Sequence, residues 1–210
     1  MGKIEITKKV LGICATNCYT VVDTETKEAL IIDPADRADV LIRDWKDKGV
    51  TPTTVLLTHG HFDHIGALAG VKKEYPDIKV YAAAEEKEVM ESPALNLSSS
   101  FGAAFTAQAD IYLEDGAEIE VLGRKCKCLL VPGHTKGGMC YYFPEESVVF
   151  TGDTLFCYSV GRTDFPTGDA KALEEAIREK LFVLPDETLV LPGHDAQTMI
   201  GKEKKGNPYF

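Results

Sequence analysis

No stretch of the 210 residues is continuously apolar for long enough to cross a bilayer. The N-terminal MGKIEITKKVLGICATNCYTVV alternates polar with apolar residues and lacks the unbroken apolar core of a secretion signal. A cytoplasmic protein without a membrane partner is the expectation. Positive charge is in deficit: 23 Lys and Arg stand against 33 Asp and Glu, for a net charge of -10. Such a surface has no general attraction for nucleic acid or anionic lipid, so no nucleic-acid partner is expected, and a polyanionic substrate would need a local basic patch. The six cysteines, Cys14, Cys18, Cys126, Cys128, Cys140 and Cys157, form no CxxC pair and are too sparse for a disulfide framework. They read as mostly buried thiols. Repeats, low-complexity tracts and long Gly/Ser linkers are also missing, and the length leaves no room for a second large domain. Residues 1–210 read as a single domain with a sizeable core.

What is present is a mixture of strands and helices punctuated by Pro and Gly. Apolar runs at Asn17–Val22 and Ala29–Ile32 flank a polar turn and predict an antiparallel hairpin. Ala117–Leu122 with Lys127–Val131 around Gly123-Arg124-Lys125, and Met139–Phe143 with Val148–Phe150, predict two more. Helical spacing covers Arg37–Lys48, Asp63–Tyr75, Ala84–Glu91 and Asp169–Lys180. The fold class is therefore α/β with much antiparallel sheet. Residues 92–110 have no clear period and form the longest loop, with Leu95, Leu97, Phe101 and Phe105 as candidates to close over a ligand.

The five histidines carry the chemistry. His59, His61 and His64 fall in Thr58-His59-Gly60-His61-Phe62-Asp63-His64, and His134 and His194 each end a Pro-Gly-His triplet. Four β-type runs lead within a few residues to a ligand type: Val55-Leu56-Leu57 to His59, Leu129-Leu130-Val131 to His134, Val148-Val149-Phe150 to Asp153, and Leu189-Val190-Leu191 to His194. If these strands lie side by side, their C-terminal ends converge on one edge. Imidazole and carboxylate suit zinc, and iron or manganese as well. His59 and His61 point the same way at period two, while Asp63 and His64 follow at the next turn, so one segment can feed two neighbouring metals. His134 and His194 would add one ligand to each ion, and Asp153 could bridge them. Asp33, in Ile31-Ile32-Asp33-Pro34, either holds a ligand from behind or makes an Asx turn.

HGHFDH, PGHTKGG, FTGDTLF and LPGHD, in this order, resemble the metallo-β-lactamase superfamily of binuclear hydrolases, over nearly the whole chain from Asn17 to His194. The resemblance implies an αββα sandwich, two mixed sheets flanked by helices, with the metals at the edge between the sheets. It implies one metal on His59, His61 and His134, another on Asp63, His64 and His194, and Asp153 as the bridge. Two divalent ions, zinc first, are the expected cofactors.

The segment Gly161-Arg162-Thr163-Asp164-Phe165-Pro166 and the closing Ile200-Gly201 to Asn207-Pro208 look like the short glyoxalase II-like hydrolases, which are thioesterases related to hydroxyacylglutathione hydrolase. The chain stops about where full-length glyoxalase II begins the helical domain that supplies basic residues for glutathione. That departure bears on glutathione recognition, not on hydrolysis. The implied reaction is cleavage of a small acyl thioester by a metal-bound hydroxide, with Asp63 orienting the hydroxide and a thiolate leaving without an acid. Arg162, Tyr158 and the cluster Lys202, Lys204 and Lys205 are the candidate contacts for an acidic thiol carrier. A persulfide dioxygenase resembles the same motifs; it would hold one Fe(II) on His59, His134 and Asp153. A β-lactamase would require export, for which the sequence carries no signal, and a nuclease would require a basic groove.

Overall fold

The computed structural model describes residues 2–210. The first sheet is built from β1 (Ile4–Leu11), β2 (Thr16–Asp23), β3 (Glu28–Ile32), β4 (Thr51–Leu56), β5 (Lys79–Ala83) and β6 (Ile111–Leu113), adjacent in chain order. β1, β2 and β3 pair antiparallel, and β3 to β6 run parallel. The second sheet contains β7 (Glu118–Val121), β8 (Arg124–Leu130), β9 (Met139–Phe143), β10 (Val148–Gly152), β13 (Leu189–Pro192) and β14 (Thr198–Met199), in the order β14-β13-β10-β9-β8-β7. Only β10 and β13 are parallel neighbours in it. A small hairpin, β11 (Leu155–Phe156) with β12 (Ser159–Val160), follows β10.

Successive side chains along a strand point to opposite faces, and this alternation sorts the apolar residues into three layers. Tyr19, Val21, Leu30, Ile32 and Leu56 of the first sheet meet Cys126, Cys128, Tyr141, Phe143 and Phe150 of the second in a central core. Cys18, Val22, Ala29, Ile31 and Val55 point the other way, onto α1 (Ala38–Asp47) and α3 (Leu68–Glu74). Leu41 and Trp45, one helical turn apart on α1, are fully buried, and the Trp45 indole N–H donates to Thr20 Oγ1 at 3.0 Å. Cys140, Tyr142 and Val149 face α5 (Ala170–Ala176), the wide turn Ile177–Leu181 and Ile200, the first residue of α6 (Ile200–Gly206). The layers are α/β/β/α, with mixed sheets inside. Among the described residues all six cysteines are free thiols, and no helix is long and apolar enough to cross a membrane.

Three sequence expectations shift in detail. The stretch 63–75 is two helices, α2 (Phe62–Ile65) and α3, because the chain turns at Gly66 against the β3 exit: a Cβ there would stand 2.5 Å from the Ala35 carbonyl oxygen. The β7–β8 turn is Leu122-Gly123, both with positive φ as a tight hairpin requires, rather than the three residues after Leu122. The four strands that lead to His59, His134, Asp153 and His194 are not side by side. β4 lies in one sheet and β8, β10 and β13 in the other, so their ends meet across the seam between the sheets. Hydrogen bonds close that seam: Met139 N–H to Thr58 O at 2.8 Å, Tyr141 Oη–H to Leu57 O at 2.8 Å and Tyr19 Oη–H to Pro192 O at 2.8 Å.

Candidate metal centre

Past β4 the chain runs extended through Thr58 to His61, then turns into the short α2, which presents Asp63 and His64. Asp33, at the end of β3 with φ 49°, accepts the Thr58 N–H at 2.7 Å, the Thr58 hydroxyl at 2.6 Å and His64 Nδ1–H at 2.8 Å. The carboxylate therefore keeps the proton on His64 Nδ1, so that Nε2 is the nitrogen facing inward; burial would lower this ring, but Asp63, Asp153 and Asp33 raise it. Thr58 Oγ1, which donates to Asp33, can accept from His59 Nδ1 at 3.2 Å. The Arg162 carbonyl accepts from His134 Nδ1 at 2.7 Å. A carbonyl only accepts, so the His134 Nε2 lone pair is also turned inward.

The inward atoms crowd together. His59 Nε2 stands 3.1 Å from His61 Nδ1, and His134 Nε2 3.0 Å from the same atom. His194 Nε2 lies 3.4 Å from Asp63 Oδ2 and 3.3 Å from Asp153 Oδ2, and His64 Nε2 3.3 Å from Asp153 Oδ1. Three sets of donor atoms each gather within 4.8 Å: His59, His61 and His134; His59, His64 and Asp153; and Asp63, His64 and His194. His61 Nε2, His64 Nε2 and Asp153 Oδ1 are buried without a hydrogen-bond partner. Buried polar atoms are ordinarily satisfied, and converging lone pairs of imidazole and carboxylate are the donor set that divalent metals take. The residues fit two ions.

Charge divides the centre into unlike halves. Burial, with the neighbouring His134, pushes His61 down to about 3, and burial lowers His59 and His134 as well, so the first set is three neutral imidazoles. Burial would also lower His194, but Asp153 and Asp63 raise it to about 9. Burial would raise Asp63, yet His64 and His194, with the Thr16 hydroxyl 2.7 Å from Oδ2, hold it near 2. Asp153 stays ionised for the same reason.

The centre opens into a cavity of about 440 Å³ whose walls are largely apolar: Phe62, Leu97, Phe101, Phe156, Val160 and Phe165. Phe62 stacks on Phe101 at 4.4 Å, which brings the 98–101 turn of the long loop to the mouth. Leu97 and Phe101 of that loop line the cavity, whereas Phe105 packs beneath the first sheet. Arg162 lines the mouth, but its guanidinium is bidentate to Asp164 at 2.7 and 2.6 Å and lies 4.0 Å from the centre of the Phe165 ring. Tyr158 does not reach this cavity. It sits in the β11–β12 turn with φ 56°, its ring laid over Gly206, and it lines a separate groove with Lys202 and Lys205. Lys204 is paired with Asp186 at 2.7 Å. The lysine cluster is thus away from the metal centre, because α6 carries it to another face. Thr16, Phe62, Phe165 and Glu86 are at or behind the site without having stood out in the sequence. Thr16 directly precedes the resembling stretch that starts at Asn17, and Phe62 and Phe165 lie inside quoted motifs; Glu86 in Ala-Glu-Glu-Lys-Glu has no local signal.

The family model described as the metallo-beta-lactamase superfamily matches residues 11–194. Hydroxyacylglutathione hydrolase GloC of Haemophilus influenzae is 35% identical over 200 residues, 92% of each chain. The crystal structure of BLEG-1 B3 metallo-beta-lactamase is 38% identical, covers 98% of this chain and 99% of its own, and superposes with a TM-score of 0.92. TTHA1623, solved in a di-iron-bound form, is 36% identical over 97% of this chain and 100% of its own, with a TM-score of 0.85. With its α/β/β/α layers, its donors gathered at the seam and a family match over most of its length, this chain belongs to the metallo-β-lactamase superfamily.

Proposed function

We propose that this protein is a metal-dependent hydrolase of small acyl thioesters, of the hydroxyacylglutathione hydrolase type. The observation that carries the reading is the pair of separate donor sets, His59/His61/His134 and Asp63/His64/His194, with Asp153 between them at the floor of an open cavity. Zinc is the first candidate for both positions. Divalent ions held there would lower the pKa of water toward ~7 and polarise a carbonyl.

The protein's own groups account for the rest. Thr16 donates to Asp63 Oδ2, which leaves the other carboxylate oxygen to accept a hydrogen of the attacking water and aim its lone pair. Phe62, Phe101 and Phe165 exclude bulk water from the acyl side. All five histidines belong to the donor sets or their contacts, so none is spare as a general acid. A thiolate leaves without one.

A second reading, β-lactam hydrolysis, is favoured by the similarity to BLEG-1. Its amine leaving group needs a proton, and among the described residues the cavity offers no lysine or tyrosine; the thioester is the better match. The mononuclear iron reading uses His59, His134 and Asp153 and leaves the Asp63/His64/His194 set without a role.

The test is metal content of protein purified without added metal or chelator, followed by turnover of lactoylglutathione, a glutathione-free acyl thioester and a β-lactam, with oxygen uptake on glutathione persulfide as the fourth assay. About two ions per chain and thioester cleavage are expected. One iron per chain with oxygen uptake, or β-lactam turnover alone, overturns the proposal.

A further inference from the structure

Glu86 closes the short turn Ala84–Glu86 after β5 and is fully buried. A carboxylate is placed in such a position only at a cost, unless hydrogen bonds compensate. Here Oε1 accepts the Gly60 N–H at 2.8 Å and Oε2 accepts the Thr135 hydroxyl at 2.9 Å, with the Gly137 backbone packed against the same carboxylate. Gly60 lies between His59 and His61; Thr135 and Gly137 follow His134. One side chain thus joins the loop after β4 to the loop after β8, across the seam. The approach is close enough to dictate two glycines. A Cβ on Gly60 would meet Met90 Cγ at 2.7 Å and Glu86 Oε1 at 3.2 Å, and one on Gly137 would meet Glu86 N at 2.4 Å and Oε2 at 2.5 Å.

The histidines differ in how they are held. His59, His64 and His134 each have a ring nitrogen against a group outside the cluster, on Thr58, Asp33 and the Arg162 carbonyl. His61 has none: Nδ1 faces His59 and His134, and Nε2 is unpartnered. Its placement depends on the backbone, and the adjoining peptide N–H is the one that Glu86 holds.

We propose that Glu86 is a positioning residue of the metal centre, a clamp whose carboxylate ties the Gly60 peptide to the Thr135–Gly137 turn and so sets the spacing of His61 and His134, two donors of the same set. The proposal rests on the two-ion reading above. It predicts that loss of the clamp acts on one ion, at His59/His61/His134, and spares the other.

The experiment is a zinc titration of the full chain against a chromophoric chelator, with thermal unfolding of the metal-free proteins alongside. It is run above the value of about 7 to which burial pushes this carboxyl. Glu86→Gln is isosteric but removes the charge, and its NH2 replaces one of the two accepting oxygens, at the Gly60 N–H or at the Thr135 hydroxyl. One zinc step should weaken by roughly 10–100-fold, the range for losing a partner that orients a ligand, while the other stays as in the unsubstituted chain. His134→Ala identifies the affected step. Thr135→Val should reproduce a smaller loss in the same step, and Thr135→Ser, which keeps the hydroxyl, should restore it. Should Glu86→Gln fail to fold, the Thr135 pair decides. Unchanged steps, or equal weakening of both with a matching fall in the metal-free melting temperature, overturn the clamp. An unsubstituted chain that takes up fewer than two zinc ions refutes the two-ion reading beneath it instead.

Discussion

Replacing Asp33 by asparagine should strip one ion from the centre while leaving the fold in place. The carboxylate takes three hydrogen bonds, from the Thr58 N–H at 2.7 Å, the Thr58 hydroxyl at 2.6 Å and His64 Nδ1 at 2.8 Å. Asparagine is the same size, and its amide oxygen can still serve the Thr58 N–H. Its NH2 then faces His64 Nδ1, which must give up its proton to accept. The proton moves to Nε2, the atom beside Asp63 and Asp153, and the inward lone pair is lost. A hydrogen bond to a charged group contributes about 1.5–3 kcal/mol, which converts to roughly a 10-fold to 150-fold loss in affinity at the Asp63/His64/His194 set. Competition titration with zinc reads this directly, and the melting temperature of the metal-free variant shows whether folding has been disturbed. If the Asp33→Asn chain folds and holds both ions as tightly as the unsubstituted one, Asp33 does not control the His64 tautomer and the reasoning fails.

Other outcomes follow from the same geometry. His59→Ala and Asp153→Ala should each remove metal and turnover together, since His59 joins two of the donor sets and Asp153 touches His64, His134 and His194; a fully active variant of either would refute the assignment. Chelation should lower the melting temperature, reversibly on adding zinc. Each ion present at 1,000 times its dissociation constant adds about 4 kcal/mol, or roughly 8–16 °C at about 2–4 °C per kcal/mol for a chain of this size. Asp169 caps α5 by accepting the Lys171 and Ala172 N–H groups at 2.9 and 3.0 Å. Asp169→Ala should therefore cost about 1 kcal/mol of stability with metal content unchanged, as calorimetry and metal analysis would report.

The parts of the molecule that were legible in sequence are those where a strand runs directly into a candidate ligand. The apolar run Val148–Phe150 is followed at once by Gly152 and Asp153, and Leu189–Leu191 by Gly193 and His194, so one glance spans both the scaffold and the donor. Hairpins were legible through alternation, with errors of a residue or two at turns such as Leu122-Gly123, where a non-glycine residue takes positive φ. What was hidden depends on distance along the chain. Glu86 and Glu85 are indistinguishable in Ala-Glu-Glu-Lys-Glu, and only the fold sends Glu86 to Gly60 and Thr135 while Glu85 stays at the surface groove. Asp33 carried two equal readings because a Pro follows it; its contact with His64, 31 residues later, is formed only by the fold. Tyr158 stood among the candidate contacts for an acidic thiol carrier, but the β11–β12 turn carries it to a separate groove.

The partition of the sheets by chain order also makes the metal centre a fastener. Every strand of the first sheet comes from residues 4–113 and every strand of the second from residues 118–199. The earlier half brings His59, His61, Asp63 and His64; the later half brings His134, Asp153 and His194. Each of the three donor sets draws on both halves, so neither half alone owns a complete one. Cut between β6 and β7, the molecule should become two polypeptides that take up a metal only when they reassemble, so that any metal bound at these donor sets would add to the affinity of one half for the other.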